Sequence, residues 1–317
     1  MPSIGVVGCG AVTHLNYGPA LAAHADRPVR YVFDVNAAQA DSAARLFGCE
    51  IAPLDELVDA VDLVVVATPP WTHSELVHAC LRTGKAVLCE KPFMLSHTDA
   101  VSAVNAARTL GAQLYVSHHR RTYPQVRLAR QLVGLGIVGD VVALTVREGG
   151  RLTWRTVSNY LMSEAAGGGV MWDTGAHTLD MALYGSGLDA LPDASVNILE
   201  VDRDKPEPSN HFRSTFTVSH DAAEVSCRVE LSRTEALPSM VEIRGTEGRV
   251  AFLTDADSHV RLTTAAGSEV LSTDPVPRKF DAVASLFDRL LTHDRDEELS
   301  GERFLCQVKI LEAIVNA

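Results

Sequence analysis

The pattern of apolar and polar positions changes character along the chain. Up to Ser117, short apolar runs rich in β-branched residues alternate with stretches of helical period, which is the signature of βαβ units feeding a parallel sheet covered on both faces. The runs predict strands over Ser3–Gly8, Val29–Asp34, Asp62–Ala67, Ala86–Cys89 and Gln113–Ser117, with helices over Ala37–Phe47, Ser74–Arg82 and Thr98–Leu110. A helix over Thr122–Val133, stopped by Gly134, and a long strand over Val141–Glu148 follow. From Ala194 to Leu271 the chain reads as consecutive strands punctuated by Gly245, Gly248 and Gly267, which predicts an antiparallel sheet. Helical period returns over Lys279–Thr292 and Glu302–Val315, and Asp202–Asn210, rich in charge and proline, reads as a mobile loop. The expected fold is α/β. A domain over residues 1–118 precedes one over 119–317, with the helices in 279–317 packing back toward the first.

Composition narrows the function. The chain has 317 residues, 46% hydrophobic and 21% charged, and a net charge of −12. That balance suits a globular protein with ample core and opposes broad contact with nucleic acid or anionic lipid. The six cysteines form no C-x-x-C pair, so neither a zinc site nor a disulfide framework is indicated and they read as reduced thiols. The strand pattern begins by Ile4 with no charged-then-apolar leader, and apolar runs such as Leu63–Ala67 are too short to span a bilayer. The expectation is a cytoplasmic protein acting on a small molecule.

Three segments carry chemistry. In the first, Gly8-Cys9-Gly10-Ala11-Val12-Thr13 sets a glycine turn between a strand and a helix, where backbone N–H groups and the helix dipole hold a pyrophosphate. Asp34 closes the second predicted strand about 20 residues on, in position to accept from a ribose 2′-hydroxyl. Its charge repels a 2′-phosphate, and neither Val35 nor Asn36 compensates, so NAD is favoured over NADP. Thr13 replaces the third glycine, which calls for looser helix packing, and Pro19 is placed to split the first helix. In the second segment, Glu90-Lys91-Pro92 sets a lysine just past a strand end, the edge where open α/β sheets bind ligands. The third, Gly167-Gly168-Gly169-Val170-Met171-Trp172-Asp173-Thr174-Gly175-Ala176-His177, brings a carboxylate and an imidazole four residues apart. A helix starting near Asp173 puts both on one face, where a group titrating near neutrality beside a carboxylate suits proton transfer. On the residues alone, Asp173 as a simple N-cap stays open.

Taken in order, the Gly8–Thr13 turn, Asp34, Ala67-Thr68-Pro69-Pro70-Trp71-Thr72-His73, Glu90-Lys91-Pro92, and Gly168-Gly169 followed by Asp173, Gly175, His177 and Asp180 resemble the Gfo/Idh/MocA oxidoreductases over nearly the whole chain. The resemblance implies a Rossmann domain and a second α/β domain whose open, mostly antiparallel sheet mediates self-association as a dimer or tetramer. It implies Lys91, Asp173 and His177 as the catalytic group. Gly8, Gly10, Ala11, Val12, Asp34, Thr68, Pro69, His73, Glu90 and Lys91 are implied to line NAD. Family members that carry tyrosine at the position of His177 include keto-sugar reductases, so the histidine favours a polyol or cyclitol dehydrogenase. Trp154, Arg155, Asn159 and Tyr160, ahead of the glycines, are expected to approach the substrate together with His177 and Arg121, with Trp154 and Tyr160 offering stacking surfaces. His118, His119, Arg120 and Arg121 are expected at the domain junction.

Other readings of the same residues are a keto-sugar reductase, a hydrolase with a metal held by Asp173, His177 and Asp180, and a regulator that senses NAD or a sugar without turnover.

Overall fold

The computed structural model describes residues 2–22, 26, 28–152, 159–204, 208–255, 258–292 and 295–317. Six strands, β1 (Ile4–Val7), β2 (Val29–Phe33), β3 (Glu50–Ile51), β4 (Leu63–Val66), β5 (Ala86–Glu90) and β6 (Leu114–Ser117), form a fully parallel sheet in the order β3-β2-β1-β4-β5-β6. Strands β1 and β4 are buried at every position, as strands covered on both faces must be. Each falls where the apolar runs predict. The short β3 and the helix Leu54–Ala60 that follows it were not legible, because neither is long enough to show a period. This order reverses direction between β1 and β4, and ligands of open α/β sheets bind outside the carboxyl ends of the strands at that point.

The chain divides into two compact units whose limits do not follow chain order. The first comprises Met1–His119, Arg155–Asn159 and Pro277–Glu302; the second comprises Arg120–Trp154, Tyr160–Val276 and Arg303–Ala317. Helix Lys279–Thr292 thus belongs to the first unit. Its Val283, Leu286, Phe287 and Leu291 join Ile4, Val6, Tyr17 and Val32 in one core, with the Tyr17 and Phe287 rings edge to face at 5.3 Å. The last helix, Leu305–Asn316, belongs to the second unit.

The second unit is built on eight strands, β7 (Val141–Gly149), β8 (Ser195–Arg203), β9 (His211–His220), β10 (Ala223–Ser232), β11 (Met240–Gly245), β12 (Gly248–Leu253), β13 (His259–Thr264) and β14 (Gly267–Ser272). Their order is β14-β13-β12-β11-β7-β10-β9-β8. All neighbours are antiparallel except β7 and β10, which run parallel with Ser226 opposite Ala143 and Ser232 opposite Gly149. One face buries Leu144, Val146, Val229, Leu231, Val241, Ile243, Val250 and Phe252, and the helix Ala176–Ser186 is buried at almost every position. Charge ladders lie on the strands as well: Glu230 on β10 accepts from Arg147 on β7 and from Arg213 on β9, both at 2.8 Å. The segment read as a mobile loop begins inside β8, and Asp204 then accepts the backbone N–H groups of Asn210 and His211 at 2.8 Å.

Candidate functional site

The first unit collects its motif residues on the carboxyl edge of the parallel sheet. Gly8 follows β1 at φ +97°, and a Cβ on it would lie 2.6 Å from the carbonyl carbon of Ala67 at the end of β4. Glycine is required there because two strand ends pass close together, a demand from within the fold. Gly10 differs: a Cβ there would meet nothing within 4 Å, so the second glycine leaves an open face. Ala11 and Val12 open the helix, a π-helical turn over Thr13–Tyr17 follows, and Gly18–Ala22 continues it as α-helix with Pro19 in its first turn. The looser packing that Thr13 called for takes this form. A π turn is wider than an α turn, and the Thr13 hydroxyl donates to the Gly8 carbonyl at 2.6 Å, holding the turn closed by side chain. Asp34 follows β2, where its Oδ2 accepts the Cys9 N–H at 2.7 Å and its Oδ1 accepts the Asn36 N–H at 2.8 Å. The carboxylate is thereby fixed beside the glycine turn while each oxygen keeps a lone pair. These features fit a dinucleotide: an open glycine face, backbone N–H groups at a helix start, and a positioned acceptor.

His73 is fully buried and reaches the backbone of two motif loops. Its Nδ1 lies 3.0 Å from the Pro92 carbonyl and 3.1 Å from that of Phe93, and its Nε2 lies 2.9 Å from that of Thr68. One imidazole therefore ties the Thr68-Pro69 segment to the Glu90-Lys91-Pro92 turn, whose Lys91–Pro92 bond is cis. Burial pushes the His73 pKa down, opposed by these carbonyls and by Glu90. The Thr68 hydroxyl accepts from Thr72 at 2.7 Å.

Glu90 is held from both sides. Its Oε2 accepts the Lys91 N–H at 2.9 Å, and its Oε1 accepts a short hydrogen bond from the Tyr17 hydroxyl. Tyr17 is fully buried, and burial together with the neighbouring Glu90 raises its pKa well above the ordinary phenol value, so it remains a donor. Tyr17 joins the π turn of the first helix to the turn that carries Lys91. Sequence reasoning missed it, because an aromatic residue at a helical position reads as ordinary core.

In the second unit, the glycine run serves the unit's own packing. Gly167 and Gly169 adopt φ of +80° and +82°, and a Cβ on Gly168 would collide with the carbonyl oxygens of Tyr160, Leu161 and Ser163. Tyr160 opens the short 3₁₀ turn Tyr160–Met162 that supplies two of these carbonyls. Asp173 is not an N-cap. It lies within a π-helical turn, Met171–Gly175, that runs on into the helix Ala176–Ser186 carrying His177. Its Oδ2 accepts from Arg233 Nη2 at 2.8 Å, across 60 residues of sequence. Arg233 stands just past the end of β10, and no local pattern marks it. Trp154 and Arg155 lie outside the described residues.

Arg121 is a correction. Expected at the substrate, it is instead fully buried and forks onto Asp180, with Nε 2.9 Å from Oδ2 and Nη2 2.6 Å from Oδ1. Its Nη1 donates to Asp189 at 3.3 Å, and its guanidinium lies 4.0 Å from the Phe304 ring centroid and 4.8 Å from that of Tyr184. Every face of the guanidinium is used inside the unit. Arg120 is likewise engaged, with Glu148 at 2.8 and 3.1 Å, and Thr178 also donates to Glu148 at 2.7 Å. Burial acts to raise the Glu148 pKa, but Arg120 and the hydrogen bonds outweigh it and hold the carboxyl below the usual range. His118 and His119 are buried too. With Asp173 on Arg233 and Asp180 on Arg121, the two carboxylates of the metal reading are engaged by arginines. Among the described residues no group of three His, Cys, Asp or Glu side chains is placed to hold a metal ion, and no helix is long and apolar enough to cross a membrane.

Residues 3–118 match the model of an oxidoreductase family with an NAD-binding Rossmann fold, and residues 126–251 match that of the Gfo/Idh/MocA C-terminal domain. The inositol 2-dehydrogenase of Rhizobium meliloti is 25% identical over 267 residues, covering 83% of this chain and 79% of its own. The 1,5-anhydro-D-fructose reductase of Ensifer adhaerens is 36% identical over 135 residues, 42% of this chain and 40% of the relative. A 3-ketoreductase from Actinomadura kijaniata, solved with NADP and TDP-benzene, superposes with a TM-score of 0.76 at 20% identity, covering 99% of this chain and 97% of that one. Two family domains in sequence, a parallel sheet with its glycine turn and Asp34 on the carboxyl edge, and a mostly antiparallel second unit establish that this chain belongs to the Gfo/Idh/MocA family of NAD-binding oxidoreductases.

Proposed function

We propose that this protein is an NAD-dependent dehydrogenase acting on a secondary alcohol of a sugar, cyclitol or related polyol. The observation that carries the reading is the gathering of Gly8, Gly10, Asp34, Thr68 and Lys91 on the carboxyl edge of one parallel sheet at its switch point. NAD, when bound, supplies the hydride acceptor at its nicotinamide. Lys91 donates a hydrogen bond to the reacting oxygen and stabilises negative charge developing there. His177 takes the hydroxyl proton in oxidation and returns it in reduction, a role worth about 10² to 10⁴ in rate. Asp173, held in place by Arg233, binds a neighbouring hydroxyl as an acceptor. Tyr160 and Trp154 are proposed to flank the substrate. Asp34 accepts from the ribose and disfavours a 2′-phosphate, since Val35 and Asn36 bring no positive charge.

The inositol 2-dehydrogenase likeness supports a cyclitol or sugar substrate, and the anhydrofructose reductase likeness supports the reductive direction as the second reading. The free state of all six cysteines supports a reducing, cytoplasmic setting, and the eight-stranded sheet is proposed as the surface of a dimer or tetramer. The test is NAD reduction, followed at the nicotinamide absorbance, against a panel of inositols, sugars and sugar nucleotides. Turnover is expected on a polyol, with Lys91→Ala and His177→Ala each abolishing it while NAD binding, measured calorimetrically, persists. Turnover surviving both changes would overturn the assignment.

A further inference from the structure

The guanidinium of Arg233 is only half used. Its side chain is 3% exposed, its Nη2 donates to Asp173 Oδ2 at 2.8 Å, and its Nε is buried with no acceptor in the protein. Nε and Nη2 form one edge of a planar fork. Elsewhere in this chain that edge is filled: Arg121 places Nε and Nη2 on the two oxygens of Asp180, and Arg289 does the same on Asp296. On Arg233 the Nη2 half is taken by Asp173, and the buried Nε half alongside it has no acceptor from the protein. A buried charged donor left unsatisfied is costly, and such groups in native structures call for a ligand or an ordered water. Asp173 is the more open partner, its side chain 18% exposed.

We propose that Arg233 and Asp173 form a composite hydroxyl-binding site, in which one substrate hydroxyl accepts from Arg233 Nε–H and donates to the Asp173 carboxylate. The chemistry of the pair selects the ligand class. An oxygen at that position sits beside a carboxylate, so it must bring a proton to share. A neutral hydroxyl meets both demands, whereas a carboxylate or phosphate satisfies Nε and is repelled by Asp173. The site therefore selects a neutral polyol hydroxyl over an anionic group and makes Arg233 a specificity-determining residue, although its position in sequence gives no sign of it. The inference deepens the dehydrogenase reading and rests on Asp173 facing substrate.

Two measurements test it. In crystals of the NAD-loaded protein soaked with myo-inositol, or with a polyol identified by the turnover panel, a ligand hydroxyl is expected within hydrogen-bond distance of both Arg233 Nε and Asp173. In water alone, an ordered water is expected at the same point. An Nε that bonds to a protein group, an empty position, or a water retained unreplaced when polyol binds beside Asp173 would each overturn the proposal. The Arg233→Lys variant keeps the positive charge against Asp173 and loses the Nε–H. It is expected to raise KM for the polyol about ten- to a hundredfold, the loss of one hydrogen bond to a charged donor, with NAD affinity and melting temperature near those of the parent. An unchanged KM refutes the proposal. If the parent protein turns over no polyol, the dehydrogenase reading fails separately, and the oxygen at Nε still decides this one.

Discussion

Replacing Arg121 by Met decides between a structural and a substrate-binding role for a residue that sequence places near the substrate. The change leaves two buried carboxylates. Asp189 keeps Arg130 at 3.0 Å and Arg303 at 3.9 Å, but Asp180 loses both bonds of its fork. Removing one partner of a buried ion pair costs about 3–5 kcal/mol, and the lost contacts with Phe304 and Tyr184 add roughly 1 kcal/mol. The expected loss is about 4–6 kcal/mol, which at a urea slope near 3 kcal/mol per M lowers the unfolding midpoint by about 1.3–2 M. The sign of the pH dependence follows. Burial already holds the Asp180 pKa above its ordinary value against the pull of Arg121, and losing Arg121 raises it further, so the deficit shrinks as pH falls through that raised value and is smallest once pH reaches the ordinary aspartate value near 3.9. Replacing both partners, as Arg121→Met with Asp180→Leu, is expected to recover most of the loss, because the orphaned charge is what costs. The assay is urea unfolding by circular dichroism at pH 7 and pH 4, beside NAD binding and polyol turnover. A single variant of parental stability with an elevated polyol KM would refute the reasoning and return Arg121 to the substrate.

Two further outcomes are expected. Tyr17→Phe removes the donor to Glu90 and loosens the turn that carries Lys91; steady-state kinetics should show kcat reduced about ten- to a hundredfold, as for a small misplacement of a catalytic group, with the NAD dissociation constant unchanged by titration calorimetry. The depressed Glu148 pKa contributes stability that is full above the ordinary glutamate value near 4.3 and is lost as pH falls through the lowered one; Glu148→Gln should therefore be less stable at pH 7 and match the parent near pH 2, read from urea midpoints across that range.

The alternation of strand and helix, the glycine turn with its strand-end Asp34, and the long buried strands were legible because they rest on local period and on backbone demands that only certain residues meet. The helix Lys279–Thr292 has the bounds its periodicity predicts and lies in the first unit's core, whereas Leu305–Asn316, expected to pack the same way, belongs to the second unit. Gly8 and Gly168 show a second limit. Their need for glycine is visible in sequence, but what crowds them, Ala67 for Gly8 and the nearby carbonyls of Tyr160, Leu161 and Ser163 for Gly168, is set by how the chain folds back. The two π turns escaped detection because a single inserted residue per turn leaves the apolar period nearly unchanged.

The sequence by itself determined the fold class, the cofactor class and the residues proposed for chemistry, since each is carried by short-range pattern or by motif order. Only the tertiary structure decided partnership. It set Arg233 against Asp173, Arg121 against Asp180, Tyr17 against Glu90, and His73 against the carbonyls of Thr68, Pro92 and Phe93. Charge and hydrogen bonding act through space, between groups whose separation along the chain leaves no periodic trace.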